Sequence, residues 1–211
     1  LSFGPDGHLY VSNQIGDSIL KYDGTTGAFI STFVSAGSGG LNAPVALIFR
    51  PDGYLYVGSY NSDSILRYNP TTGAFVDTFV AAGSGGLNGP AAMAWGPDGN
   101  LYVASNDATV KRYNGTTGAY IDNSVTTGSG GLGEAVGLAF GPDGNLYIAD
   151  TFNQCIRKVD MQTHIITTVV GVGKQRSDAL LRGAHDGLDV PPTQARLYRP
   201  YGITFDASGR L

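Results

Sequence analysis

Short runs of apolar, β-branched and aromatic residues alternate with polar turns along most of the chain. In one well-preserved segment these runs are Val45–Phe49, Leu55–Ser59, Ser64–Tyr68 and Ala74–Val80. Runs of this length, separated by clusters of Gly, Pro, Asn, Asp and Ser, are typical of β-strands joined by tight turns. No window is long, free of glycine and apolar at helical spacing, so the pattern predicts an all-β protein.

The first and last runs of the segment differ in pattern. Val45–Phe49 is almost continuously apolar, which is typical of an inner strand that packs on both faces, whereas Ala74–Val80 carries Asp77 in its middle, as in an outer strand with one solvent-exposed face. The Asp-Gly turn at Asp52 and Gly53 supplies the positive φ that a hairpin needs, so we interpret Asp52 and its equivalents as turn formers.

The order of runs repeats along the chain. A Pro-Asp-Gly turn followed by a Leu-Tyr-Val or Leu-Tyr-Ile strand begins at Pro5, Pro51, Pro97 and Pro142, and a decayed copy occupies residues 206–211. The turn glycines are separated by 46, 46, 45 and 65 residues. Because this period suits a four-stranded blade, we predict a β-propeller of four-stranded antiparallel blades.

The period divides the chain, as a single propeller domain, into blades at about 1–40, 41–86, 87–131 and 132–170, a long link at 171–195 and the start of the next blade at 196–211. About four blades and the inner strand of a fifth are therefore present. Since a propeller closes only when its last blade meets its first, we expect the chain to be a fragment of a larger ring.

Composition narrows the range of partners. The 211 residues are 42% hydrophobic, which is enough for a large core, and the 32 glycines fit many tight turns. The net charge of −4 offers no basic face for phosphates, so we expect no nucleic-acid partner. We also expect no membrane insertion, because no run of about 18 apolar residues occurs. The lone Cys155 cannot form an internal disulfide.

The fourth repeat, residues 137–160, reads GLAFGPDGNLYIADTFNQCIRKVD and resembles the NHL repeat of bacterial proteins. It is similar, more distantly, to the six-bladed gluconolactonase-like propellers. The sequence departs from the NHL pattern at Cys155, where Arg or His is common. It also departs from the pattern in the second and third repeats, which have Ser59 and Ser105 at the position where the fourth repeat has the acid of the family, Asp150. The resemblance implies a propeller, commonly six-bladed, that serves mostly as a binding or scaffolding platform.

One face of the predicted propeller collects the links between blades and the loops between second and third strands. We call it the loop face, and its candidate binding residues are Asn13, Tyr60, Asn106, Glu134 and Asp150. A ring of short polar side chains can hold a cation, water or a polar ligand, but it can equally be a solvated rim. Glu134, the only Glu in the chain, lies in a segment that resembles a calcium-ligating segment of gluconolactonase-like propellers. Glu134 and Asp150 are thus candidates for a divalent cation such as calcium, and no other cofactor is expected.

The long fourth link is the second candidate surface, with Arg182, His185 and Asp186. Long loops on rigid scaffolds often carry binding residues, although this one can also be a connector that packs over the blade edge. His185 beside Asp186 has the chemistry of a base and its orienting group, but no nucleophile has a definable place nearby. The scattered positions of His8, His164 and His185 disfavour a three-His metal site of the amidating-lyase kind.

Two functions remain open. Near-identical blades without a concentrated catalytic set favour a non-enzymatic module of an extracellular or cell-surface protein, whose loop face binds a protein or glycan partner. The alternative is a metal-dependent lactonase- or lyase-like propeller enzyme with an axial cation near Glu134 and Asp150. Binding of RNA, as by some animal NHL proteins, is opposed by the 13 Lys and Arg residues.

Overall fold

The computed structural model describes residues 1–173 and 190–211. Within them, sixteen strands form four separate antiparallel sheets, each of four strands in chain order. The strands are β1 Ser2–Phe3, β2 Leu9–Asn13, β3 Ser18–Tyr22, β4 Phe29–Val34, β5 Pro44–Arg50, β6 Tyr54–Ser59, β7 Ser64–Tyr68, β8 Phe75–Val80, β9 Ala92–Trp95, β10 Leu101–Ser105, β11 Thr109–Tyr113, β12 Tyr120–Val125, β13 Ala135–Phe140, β14 Leu146–Asp150, β15 Cys155–Val159 and β16 Ile166–Val170. Short 3-10 turns occupy Ser38–Gly40, Tyr60–Ser62, Ser84–Gly86, Ser129–Gly131 and Pro192–Gln194.

The four sheets are blades 1 to 4 of a β-propeller, and their aromatic rows form the contacts between blades. The ring of Phe49 in β5 lies 4.8 Å from that of Tyr10 in blade 1. The equivalent centroid distance is 5.1 Å for Trp95 and Tyr56, and 4.9 Å for Phe140 and Tyr102. These edge-on contacts, which stabilise aromatic pairs beyond their burial, confirm the predicted fold.

The start of a fifth blade is present at the end of the chain. Phe205 lies 4.9 Å from Tyr147 of blade 4, in the same edge-on arrangement as the other inner-strand aromatics. Residues 201–206 therefore occupy the inner-strand position of a further blade. Residues 201–206 are not paired with a strand in the described part of the chain.

The Asp-Gly turns are built as the sequence predicts, with one addition. The Oδ1 atom of Asp52 accepts the backbone N–H of Tyr54 at 3.2 Å, and its Oδ2 atom accepts the Tyr56 hydroxyl at 2.7 Å. Asp6, Asp98 and Asp143 form the same pair of bonds in the other blades, each with the tyrosine four residues later. Each aspartate thus closes its turn and also satisfies a largely buried tyrosine hydroxyl.

The glycine-rich links are shaped by packing. Gly85 has a φ of 62°, and a Cβ atom there would overlap the ring of Tyr120 in the outer strand of the next blade. Gly39 lies against Phe75 in the same way. The close approach of link and ring requires glycine, which confirms that these glycines serve backbone geometry.

The turns and links separate onto two opposite faces. On the turn face, Arg50 donates to the carbonyl oxygen of Gly115 in the third turn of the next blade, at 2.6 Å. On the loop face, Asn61 Nδ2 donates to Asn42 Oδ1 at 3.0 Å, and the N–H of Gly83 donates to the carbonyl of Asp63 at 3.0 Å. Links and second-to-third-strand loops therefore meet on one face.

No helix in residues 1–173 or 190–211 is long and apolar enough to cross a membrane.

Candidate functional site

The ends of the second strands anchor the links on the loop face. Ser105 Oγ accepts the N–H of Asn88 at 3.1 Å and donates to the carbonyl of the same residue at 3.0 Å. Ser59 forms the same two bonds with Asn42, at 2.9 and 3.2 Å. Ser59 and Ser105 are buried, so each hydroxyl fixes the entry of the chain into its blade.

Asp150 performs this task in blade 4 with a charged group. Its fully buried carboxylate accepts the N–H groups of Gly133 and Glu134 at 3.2 and 3.3 Å. It also accepts Asn153 Nδ2 at 2.8 Å and Arg157 Nε at 3.1 Å. The four bonds and the guanidinium compensate the buried charge. Both carboxylate oxygens of Asp150 therefore have partners within the protein. The role of Asp150 as a cation ligand stays a prediction.

A second tie closes the loop face between blades. Asp17 Oδ1 accepts the N–H of Ala43 at 2.6 Å, and Asp63 Oδ1 accepts that of Gly89 at 2.7 Å. Each aspartate belongs to one blade, and each donor N–H lies in the link to the next blade. The third copy of this loop carries Ala108 instead, which has no carboxylate to form the tie.

The fourth copy of this loop, in blade 4, borders a pocket of about 220 Å³ that lies between blade 4 and the next link. Gln154 stands at the position of Asp63, and Arg199 at the position of Gly89. The walls are formed by Glu134, Thr151, Phe152, Gln154, Tyr198 and Arg199. A carboxylate, a guanidinium, an amide and two half-exposed aromatic rings can together bind a small polar ligand that also has an apolar surface.

The other loop-face candidates lie in separate places. Tyr60 and Asn106 flank Gly89, where an added Cβ atom would lie 2.8 Å from the Tyr60 ring and 3.2 Å from the Asn106 Cβ. Asn13 bonds locally, since its Nδ2 donates to Ser18 Oγ at 3.1 Å. Glu134 and Asp150 are neighbours, because the backbone N–H of Glu134 donates to Asp150 Oδ1 at 3.3 Å. Arg182, His185 and Asp186 lie outside the described residues.

Metal-ligating side chains are dispersed in the described part of the chain. No group of three or more His, Cys, Asp or Glu side chains that could hold a metal ion occurs there. Cys155 is buried, and burial raises the pKa of its thiol. This environment keeps the thiol protonated and unreactive at neutral pH.

The sequence did not predict the pocket residues Phe152, Gln154, Tyr198 and Arg199. The sequence does contain a signal that could have identified Arg199, because Arg199-Pro200 aligns with Ala43-Pro44 and Gly89-Pro90. The large Arg side chain stands where the repeat has a small residue. Its φ of 47° matches that of Gly89, 51°, so the Arg occupies a backbone conformation that favours glycine.

Solved structures share this fold at low sequence identity. A structural genomics protein of unknown function from Bacteroides thetaiotaomicron VPI-5482 covers 96% of this chain and 52% of its own, at 20% identity and a TM-score of 0.71. Virginiamycin B lyase from Staphylococcus aureus covers 80% and 53%, at 17% identity and a TM-score of 0.58. The extracellular domain of a putative hybrid two-component system from B. thetaiotaomicron covers 96% and 24%, at 16% identity and a TM-score of 0.63.

These similarities and the four blades define the chain as a β-propeller. The chain spans about half of the length of the lyase and a quarter of that of the extracellular domain. No protein-family model matches the sequence, and no curated protein matches it.

Proposed function

We propose that the chain is part of a non-enzymatic binding propeller of the NHL type, six-bladed when complete, whose loop face binds a protein or glycan partner outside the cell. The observation that carries this proposal is the pocket of about 220 Å³ at residues 134, 151–154 and 198–199. It opens where Gln154 and Arg199 stand at the positions that form the inter-blade tie of blades 1 and 2. Propeller loops can vary in this way without loss of the scaffold.

The chemistry of the pocket favours recognition over catalysis. Glu134 and Arg199 provide an acceptor and a donor, and Phe152 and Tyr198 expose 56% and 54% of their surface. Aromatic rings beside a few polar groups are common in recognition sites. The extracellular location is supported by the similarity to extracellular domains of Bacteroides proteins.

The experiment compares the two faces of the propeller. We expect Tyr60→Ala/Asn106→Ala and Phe152→Ala/Tyr198→Ala to reduce capture of glycans or proteins by the purified chain. The matched control is Thr71→Ala/Thr116→Ala, on exposed turn-face positions. Melting temperatures verify that each variant is folded. Equal capture by both loop-face variants and the control would contradict the proposal.

The alternative function is a metal-dependent lactonase- or lyase-like enzyme with Glu134 and Asp150 near a cation such as calcium. The similarity to a lyase supports it at the level of fold alone. A titration with calcium, followed by calorimetry, tests it. Saturable binding that Glu134→Gln removes would support this function, and its absence would count against it.

A further inference from the structure

The blades differ from one another at the outer rim between blades 3 and 4. The fifth residue of the outer strand is Phe33 in blade 1 and Phe79 in blade 2, but it is Ser124 in blade 3. Phe33 packs edge-on against Tyr10 at 4.8 Å, and Phe79 against Tyr56 at 5.0 Å. A serine is too small to fill that space, so the rim of blade 3 lacks the aromatic packing of its neighbours.

The residue that faces this position changes as well. The turn before the outer strand ends in Gly73 in blade 2 and in Gly118 in blade 3. An added Cβ atom would overlap the carbonyl oxygen of Phe33 at the first glycine and that of Phe79 at the second, and each phenylalanine belongs to the preceding blade. Blade 4 has His164 at this place, with a φ of 58°. The turn of blade 4 thus carries the side chain of His164 in place of a glycine. The residue opposite it, in the outer strand of blade 3, is Ser124.

The two changes coincide with a cavity of about 340 Å³ between β12 and β16. Its polar lining includes Arg112, Asp122, Asn123, Ser124, Ser129 and His164. The Ser124 hydroxyl is buried and has no hydrogen-bond partner among the described residues of the chain. A buried hydroxyl without a partner is destabilising, and a polar cavity beside it can supply the missing bond through a bound molecule.

Packing alone does not account for the cavity. Met161, which stands where blade 2 has Pro70, packs against the core between blades 3 and 4. It does not line the cavity. The polar residues of the lining therefore remain around an open space.

The charges of the lining favour a neutral ligand. Arg112 is paired with Asp122 through Nε at 3.2 Å and Nη2 at 2.5 Å, and its Nη1 donates to Asp98 at 3.4 Å. The guanidinium is thus neutralised within the protein and offers no free charge to an anion. Hydroxyl, amide and imidazole groups can both donate and accept hydrogen bonds, as the hydroxyl groups of a sugar do.

We propose that this cavity, the rim site, binds a neutral polyhydroxylated ligand of monosaccharide size. Its volume lies at the lower end of the range of about 300–1,000 Å³ for small-molecule sites. The rim site shares no residue with the loop-face pocket, so it is an additional site whose test is independent of the proposed function.

The test is a nuclear magnetic resonance titration of the labelled chain with glucose, galactose, mannose and N-acetylglucosamine. We expect saturable shifts of the backbone amides of residues 122–129 and 164 with at least one sugar. Ser124→Ala keeps the cavity and removes the hydroxyl, and it should weaken binding by about tenfold. Ser124→Phe/His164→Gly restores the residues of the other blades and should abolish binding.

Thr32→Ala, on an exposed position of the outer strand of blade 1, is the matched control and should bind as the original chain does. The spectrum of each variant verifies its fold. The proposal is overturned if none of the four sugars gives saturable shifts at the rim site, or if Ser124→Ala binds with unchanged affinity.

Discussion

Each turn aspartate holds several groups in place through one carboxylate. In blade 1, Asp6 accepts the Tyr10 hydroxyl at 2.9 Å and the Lys21 ammonium at 2.7 Å. Partial burial by itself raises the pKa of Asp6, but the bonds from Lys21, the His8 N–H and Tyr10 outweigh it and lower the pKa to about 2. Asp98 and Asp143 also have lowered pKa values, through the same kinds of bond.

These pKa shifts predict how stability depends on pH. Because the folded-state pKa lies below the unfolded value of about 3.9, the unfolded chain binds more protons in acid. The carboxylates therefore stabilise the fold fully above about pH 5, and this contribution is lost as the pH falls from about 4 to 2. Urea unfolding between pH 7 and 2 measures it. Asp143→Asn should reduce the slope in acid, and an unchanged midpoint down to pH 2 would contradict the account.

Two glycines of one link offer a matched test of the packing argument. Gly83 and Gly85 have φ values of 67° and 62°, so alanine at either position bears the left-handed cost of about 1–2 kcal/mol. Nothing lies within 4 Å of a Cβ atom at Gly83, whereas Tyr120 occupies the space at Gly85. Gly85→Ala should thus lower the free energy of unfolding by about 1–3 kcal/mol more than Gly83→Ala. Equal losses in chemical denaturation would disprove the role of the ring.

At the scale of elements, the links are fixed to the blades by buried polar groups of two kinds. A neutral hydroxyl serves in blades 2 and 3, and the ionised Asp150 serves in blade 4, where Arg157 compensates its charge. The sequence shows that Ser59, Ser105 and Asp150 share a position. It does not show that Arg157, seven residues later, returns to the same carboxylate, because that contact depends on the pairing of β14 with β15.

The two kinds of tie should differ in energetic weight. Asp150→Ala leaves the guanidinium of Arg157, whose side chain is 15% exposed, without its carboxylate, and we expect a loss of about 3–5 kcal/mol. Ser105→Ala removes two neutral bonds and should cost about 1–3 kcal/mol. Thermal and urea unfolding of both variants provide the comparison. A larger loss for Ser105→Ala would refute this assignment.

The elements themselves follow from sequence more fully than the sites do. The strands predicted at 45–49, 55–59, 64–68 and 74–80 agree with β5 to β8 to within one residue at each end, because turn chemistry and alternation fix them locally. The pockets arise from side chains that face each other across blades, such as Ser124 and His164. Sequence alone does not reveal which repeat positions are opposed, so these departures gain meaning only from the fold.

At the scale of the whole molecule, stability comes from contacts between consecutive blades. Three buried clusters lie between blades 1 and 2, 2 and 3, and 3 and 4, and they contain residues from both partners. Each blade therefore depends on its neighbours, as in other repeat architectures.

The position of a blade in the array should set the cost of a core substitution. Leu101 of blade 3 is fully buried between neighbours, while the equivalent Leu9 of blade 1 is partly exposed. We expect Leu101→Ala to cost about 2–5 kcal/mol, and Leu9→Ala markedly less. Equilibrium unfolding of the two variants measures the difference, and equal costs would show that burial between blades does not govern stability.

The central functional claim is that partners bind through the loop face. The most direct test is a quantitative binding measurement on an array of glycans and extracellular proteins, with the original chain, Phe152→Ala/Tyr198→Ala and the turn-face control Thr71→Ala/Thr116→Ala. The account predicts that the loop-face variant loses most of its signal while the control retains it. Binding by the loop-face variant that is as strong as binding by the control would contradict the account.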